Sequence, residues 1–172
     1  MKKIRILIAL FLVLVSSIVA TMPVMAATTA DITNTATPKF IAITVDPTTK
    51  AWGAVAASAT PSTATDAFTV DNTSSIATDV EIAVTAATWA GGATWTHSDT
   101  ATAGADTAGL LANKGGSWET GDVIVKYGTP NDISANQAAT TDFSFGLKLL
   151  VPTSFSDGVE KSITVRLTAT EH

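Results

Sequence analysis

The chain has 172 residues, a formal net charge of −5 and no cysteine, which excludes disulfide frameworks and thiolate-held zinc or iron–sulfur centres. Only 15 % of its residues are charged, and no basic run follows the first few positions, so nothing stands ready to neutralise phosphates. Nucleic acids and anionic lipid surfaces are therefore disfavoured partners.

In chain order, Lys2, Lys3 and Arg5 precede an apolar run over residues 6–14 that continues through Val15, Ile18 and Val19, the pattern of an export signal. Pro23 and the small-residue site Val24-Met25-Ala26 distinguish it from a membrane anchor of similar length. Cleavage is expected between Ala26 and Ala27, making residues 1–26 a signal peptide. Three of the ten basic residues leave with it and all fifteen acidic ones stay, so the 146 remaining residues carry a net charge of −8. That length suits one domain, assigned to residues 38–172. The mature chain is expected to be secreted or displayed at the cell surface, without membrane insertion.

Residues 27–37 form an N-terminal extension with faint strand character. Ala30, Ile32, Asn34 and Ala36 fall on one face, while Thr29, Asp31, Thr33 and Thr35 make the other wholly polar. Pro38 separates this stretch from the next apolar run. Three fates are open to it: pairing within the molecule, disorder, or donation as a strand to a neighbour's sheet.

Beyond Pro38 the recurring signal is period two, which predicts an all-β domain. Residues 40–45 and 123–127 are apolar on both faces, as in central strands covered on two sides. Residues 52–55 and 94–97 read as short strands. Phe68 and Val70, then Val80, Ile82 and Val84, alternate with polar residues around the turn-rich residues 71–75, predicting a hairpin. From Asp142 to Val151, Phe143, Phe145, Leu147, Leu149 and Val151 share one face, and Ile163, Val165, Leu167 and Ala169 repeat the pattern. Ser156-Asp157-Gly158 between these two runs predicts that they are neighbours. Residues 98–120 read as a long loop with one helical turn over residues 105–113. About seven to nine strands result, as in an antiparallel β-sandwich of immunoglobulin-like or jelly-roll-like type.

No residue set in the chain assembles a catalytic centre. His97-Ser98-Asp99 contains the right types, but adjacent residues on a strand point to opposite faces. Asp99, Asp106, Glu119 and Asp122 border the long loop and are weak candidates for calcium, which takes carboxylate and carbonyl oxygens, although their spacing fits no calcium motif. No cofactor is expected. Among Trp52, Trp89, Trp95 and Trp118, the pair Trp95 and Trp118 is the candidate platform for a glycan, with Gly91-Gly92 allowing close approach. Asn72-Thr73-Ser74 has the form of an N-glycosylation acceptor.

Residues 45–84 carry Pro47, Trp52-Gly53, Val55, Phe68-Thr69-Val70, Asn72 and an alternating strand from Val80 to Val84. In that order they resemble immunoglobulin-like domains of the Hydin type, with Trp52 where that pattern more often has phenylalanine; the resemblance implies a β-sandwich. A signal peptide, no cysteine, Ala/Thr/Gly richness and a light strand at the mature N-terminus together resemble exported β-sandwich subunits of microbial surface fibres, including archaeal bundling pili and TasA-like matrix fibres. That resemblance implies a structural or assembly role, with self-association or other surface proteins as partners and filament growth by N-terminal strand exchange. The alternative expectation is an extracellular glycan-binding or cell-envelope-binding module.

Overall fold

Phe143, Phe145, Leu147 and Leu149 are buried along one face of an eight-residue strand, with Ser144 and Lys148 on the less covered face, as their alternation predicts. The computed structural model describes residues 33–172. Residues 33–37 are exposed and form no strand, and the compact body comprises Pro38–His172. The expected signal peptide, its cleavage site at Ala26 and Ala27, and the proposed strand residues Ala30 and Ile32 lie outside the described residues. Asn34 and Ala36 are exposed.

The body contains β1 (Ile43–Asp46), β2 (Phe68–Asn72), β3 (Thr78–Val84), β4 (Thr88–Trp89), β5 (Trp95–Ser98), β6 (Thr107–Asn113), β7 (Val123–Ile124), β8 (Lys126–Tyr127), β9 (Asn131–Gln137), β10 (Phe143–Leu150) and β11 (Val165–Glu171). The larger sheet has the order β1-β2-β10-β6-β5-β4, with β7 also on β6; the smaller has the order β11-β3-β8, with β9 also on β3. Phe68, Val70, Leu110, Phe145 and Leu147 from the first share one core with Val80, Ile82, Val84 and Ile133 from the second. The fold is an all-β sandwich. Its eleven strands exceed the seven to nine expected. Its sheets are mixed rather than purely antiparallel, because β5 runs parallel to β6 and β3 parallel to β8.

The core is built from cross-strand pairs. Phe68 and Phe145 are register partners on β2 and β10 and stack at 5.1 Å between ring centroids. Ile82 on β3 is fully buried. Burying such a side chain contributes about 1.5–3 kcal/mol, which is why alternating apolar residues select the register.

Beside β10 the ladder of β2 is extended by the segment that precedes it. Residues 59–63 pair with β10 through Thr63 N–H to the Leu147 carbonyl and Leu149 N–H to the Pro61 carbonyl, both at 2.9 Å, and Ser62 bridges Lys148. Between that stretch and β2, residues 64–67 bulge across Gly146. A Cβ on Gly146 would stand 2.8 Å from Thr65 Cα and closer still to the Ala64 carbonyl oxygen, so only glycine fits the crossing.

Residues 123–127 make two short strands rather than one, because the chain changes sheets at Val125. β7 pairs with β6 and β8 with β3, leaving Val125 fully buried between the layers. Its N–H bonds the Leu110 carbonyl at 3.0 Å, and its own carbonyl is 2.7 Å from His97 Nε2. A carbonyl can only accept, so Nε2 carries the proton, and the buried imidazole satisfies a main-chain group that the change of sheet strips of a ladder partner.

Other expectations fail in instructive ways. The helical turn over residues 105–113 is instead β6, an interior strand between β10 on one side and β5 and β7 on the other. Residues 52–55 form no strand, although Trp52 and Val55 pack against the core. Residues 40–45 are no covered central strand: β1 is the edge of its sheet, and Phe40 is 51 % exposed. Neither predicted hairpin closes. β2 and β3 belong to different sheets, as do β10 and β11, so residues 73–77 and 151–164 are crossings between layers.

Candidate functional site

Two tryptophans and a phenylalanine form one aromatic cluster beside β4 and β5. Trp89 and Trp95 are register partners on β4 and β5 and meet edge to face at 6.1 Å, both buried. Phe155 lies 5.8 Å from the Trp95 ring, and Lys161 Nζ stands over that ring at 5.9 Å. Lys161 is itself almost wholly buried, pairing with Asp157 at 2.7 Å and donating to the Gly91 carbonyl at 2.5 Å. The second Asp157 oxygen accepts the Ala93 N–H. That hydrogen bond, and then the one from Lys161, holds the Asp157 carboxyl below its ordinary range. Gly91 and Gly92, both at positive φ, admit the main chain of residue 160 and the side chains of Asp157, Val159 and Lys161. The close approach for which glycine is needed here is to the protein's own loop.

Trp95 consequently presents no open ring face. Trp118 is half-buried elsewhere, its Nε1–H donating to the Thr63 carbonyl at 3.1 Å and its ring lying 5.6 Å from Lys148 Nζ. The two candidate glycan residues thus pack on separate partners.

The four acidic calcium candidates are dispersed in the same way. Asp99 accepts the Tyr127 N–H at 2.7 Å. Asp106 accepts the Ser156 N–H and hydroxyl at 2.9 and 2.6 Å. Asp122 accepts from Asn113 Nδ2 at 2.6 Å and from the Glu119 N–H at 3.1 Å, whereas the Glu119 carboxylate points toward Lys148 at 3.9 Å. Only Glu119 and Asp122 come together, and each carboxylate except that of Glu119 accepts hydrogen bonds that fasten its own loop. Among the described residues no three His, Cys, Asp or Glu side chains gather at metal-binding distance. In the His97-Ser98-Asp99 stretch the imidazole Nε2 is occupied by the Val125 carbonyl, and Ser98 Oγ accepts from the Thr102 N–H at 3.2 Å.

Several buried polar residues escaped the sequence reading because polar side chains in polar surroundings resemble loop. Asn72 is 2 % exposed; its Nδ2 donates to the Ala138 carbonyl at 3.0 Å and its Oδ1 accepts the Ser74 N–H at 3.1 Å. In the folded protein the acceptor amide of the glycosylation motif is therefore enclosed. Asn113 fastens the following loop, donating to the Ser117 and Thr120 carbonyls, each at 3.1 Å. Lys114 Nζ donates to Ser134 Oγ at 2.5 Å and Gln137 Oε1 at 3.0 Å, above the Phe143 ring, and loss of hydration lowers its pKa.

What remains available to another molecule is main chain at the sheet margins. β1 has β2 as its sole ladder partner among the described residues, and β9 and β11 have only β3. Unpaired strand edges present rows of N–H and C=O groups that a further strand can bond. Among the described residues no helix is long and apolar enough to cross a membrane. Compared with protein-family models and with curated proteins, the sequence matches none.

Proposed function

We propose that this chain is a secreted or surface-displayed structural protein, a subunit that assembles into filaments when its N-terminal extension completes the sheet of the next copy. The observation that supports the reading is a sandwich with unpaired sheet margins, preceded in sequence by a light alternating segment that follows an export-type signal. A heterologous contact of this kind, repeated without closing, generates a filament. The reading assigns no reaction to the chain, because its polar side chains are spent on holding loops together. The glycan-binding alternative gains nothing from the packing of Trp95. Electrophoresis of the secreted material, unheated beside boiled, tests the proposal: a ladder of multimers that collapses on boiling is expected, and a single monomer band in both lanes would refute it.

A further inference from the structure

Taking the assembly reading as its premise, we infer that the acceptor for the N-terminal extension of a second copy is the outer edge of β11. Among the margin strands β4, β7 and β8 are only two residues long, and the three longer ones, β1, β9 and β11, differ in how they guard against pairing. β1 is four residues long and is stopped by Pro47. β9 is polar and carries register shifts between Thr78 and Val80 and between Val80 and Glu81 on its partner. Short length, proline and bulges are the usual protections of an edge strand. β11 has none of them: it pairs with β3 over seven consecutive residues with no shift, and it contains no proline.

Its main chain is set for a further ladder. The Thr164 carbonyl accepts the Thr85 N–H at 3.0 Å, and the His172 N–H donates to the Ala77 carbonyl at 3.2 Å. Antiparallel bonding alternates along a strand, so the even-numbered residues bond β3 while Val165, Leu167, Ala169 and Glu171 turn their N–H and C=O groups outward. The inward side chains of Val165, Leu167 and Ala169 are only half-buried, although they lie against the core. Their row has room for apolar cover from one more strand.

Residues 27–37 have the matching pattern and reach. Ala30, Ile32 and Ala36 form a small apolar row opposite a polar one, and eleven residues exceed the seven that β11 offers. At about 3.3 Å per residue a seven-residue ladder spans about 23 Å, leaving four residues as a bridge to the next body. A second copy is preferred to the same copy for one reason. Lys39 pairs with Glu171 at 2.7 Å, so a fold-back onto the chain's own β11 would begin at that end and place residues 33–37 in the strand. Those residues are exposed and belong to no strand.

Because the chain has no cysteine, engineered pairs give an unambiguous readout. Thr168→Cys, exposed on β11, is combined in turn with Thr29→Cys, Thr33→Cys or Thr35→Cys in the full chain, and the secreted, oxidised product is run without reductant. A disulfide-linked multimer ladder from at least one pair is expected. An internally linked monomer, or a dimer that grows no further, would overturn the inference. Boiling-sensitive multimers with no cross-link from any pair would overturn the β11 assignment and leave the assembly reading standing; absence of all multimers would remove both. As a second variant, Ala169→Pro deletes an outward N–H without touching the β3 ladder. It is expected to abolish multimers while keeping the β-type far-ultraviolet spectrum, and persistence of multimers in it counts against β11.

Discussion

Gly146→Ala isolates a single packing relation. Gly146 is not among the glycines at positive φ, so alanine suffers no backbone strain there and the whole cost is steric. The added methyl would meet Thr65 Cα at 2.8 Å and Thr63 Oγ1 at 3.0 Å, with the Ala64 carbonyl oxygen nearer still. Two of these three atoms are main chain, so the bulge must move as a unit. Overpacking of this kind costs about 1–3 kcal/mol. Displacing the bulge also threatens the bonds it anchors, Thr63 N–H to the Leu147 carbonyl and Leu147 N–H to Thr63 Oγ1, each at 2.9 Å, and a hydrogen bond contributes about 1 kcal/mol. The expected loss is about 2–4 kcal/mol, a fall of about 6–12 °C in melting temperature for a chain of this size. Gly158→Ala is the control, since nothing lies within 4 Å of its added methyl and its φ is not positive. It should leave the melting temperature unchanged or raise it slightly. Thermal unfolding followed by far-ultraviolet circular dichroism reads both variants, and a Gly146→Ala protein that melts with the unsubstituted chain would show that residues 64–67 do not cross β10 there.

Acid should unfold the protein through Asp79 and Asp157. The Asn136 N–H and then His172 hold Asp79 below its ordinary range, as the Ala93 N–H and Lys161 hold Asp157. A depressed folded-state pKa gives stability that is present above the unfolded value of about 4 and disappears as pH falls through the folded value. Melting temperature should therefore drop below about pH 4, and Asp79→Asn combined with Asp157→Asn should lower stability at neutral pH and flatten that acid limb; an unchanged limb would count against these hydrogen bonds. Asn72→Ala, which strands the Ala138 carbonyl and the Ser74 N–H, should cost about 2 kcal/mol in denaturant unfolding. Folded protein exposed to a glycosylating extract should keep its mass, and a glycan found on Asn72 would contradict the enclosure of that side chain.

Where a strand buries one face and wets the other, the sequence announces it: β3, β10 and β11 all follow alternations readable from residues 79–86, 142–151 and 163–170. β6 does not, because an interior strand hemmed by β10, β5 and β7 uses Ala108, Gly109 and Ala112, small residues that read as loop. Gly109 is small for a reason visible only in three dimensions, since a Cβ there would press on Leu150 Cδ1 at 3.2 Å. β9, with the sequence NDISANQ, offers one large apolar residue, Ile133, and has no period to detect. The pairing errors have a different origin. Turn residues such as Ser156-Asp157-Gly158 report that the chain reverses, and the same residues serve a hairpin or a crossing to the other layer. Buried polar groups such as Asn72 and His97 are dictated by main-chain groups contributed from distant segments, so local pattern carried no trace of them.

Electron microscopy of the secreted chain with and without residues 27–37 tests the proposed assembly most directly. Filaments from the intact chain, and only monomers with an unchanged melting temperature from the shortened one, are the predicted outcome. Filaments of undiminished length and number after the deletion would contradict it.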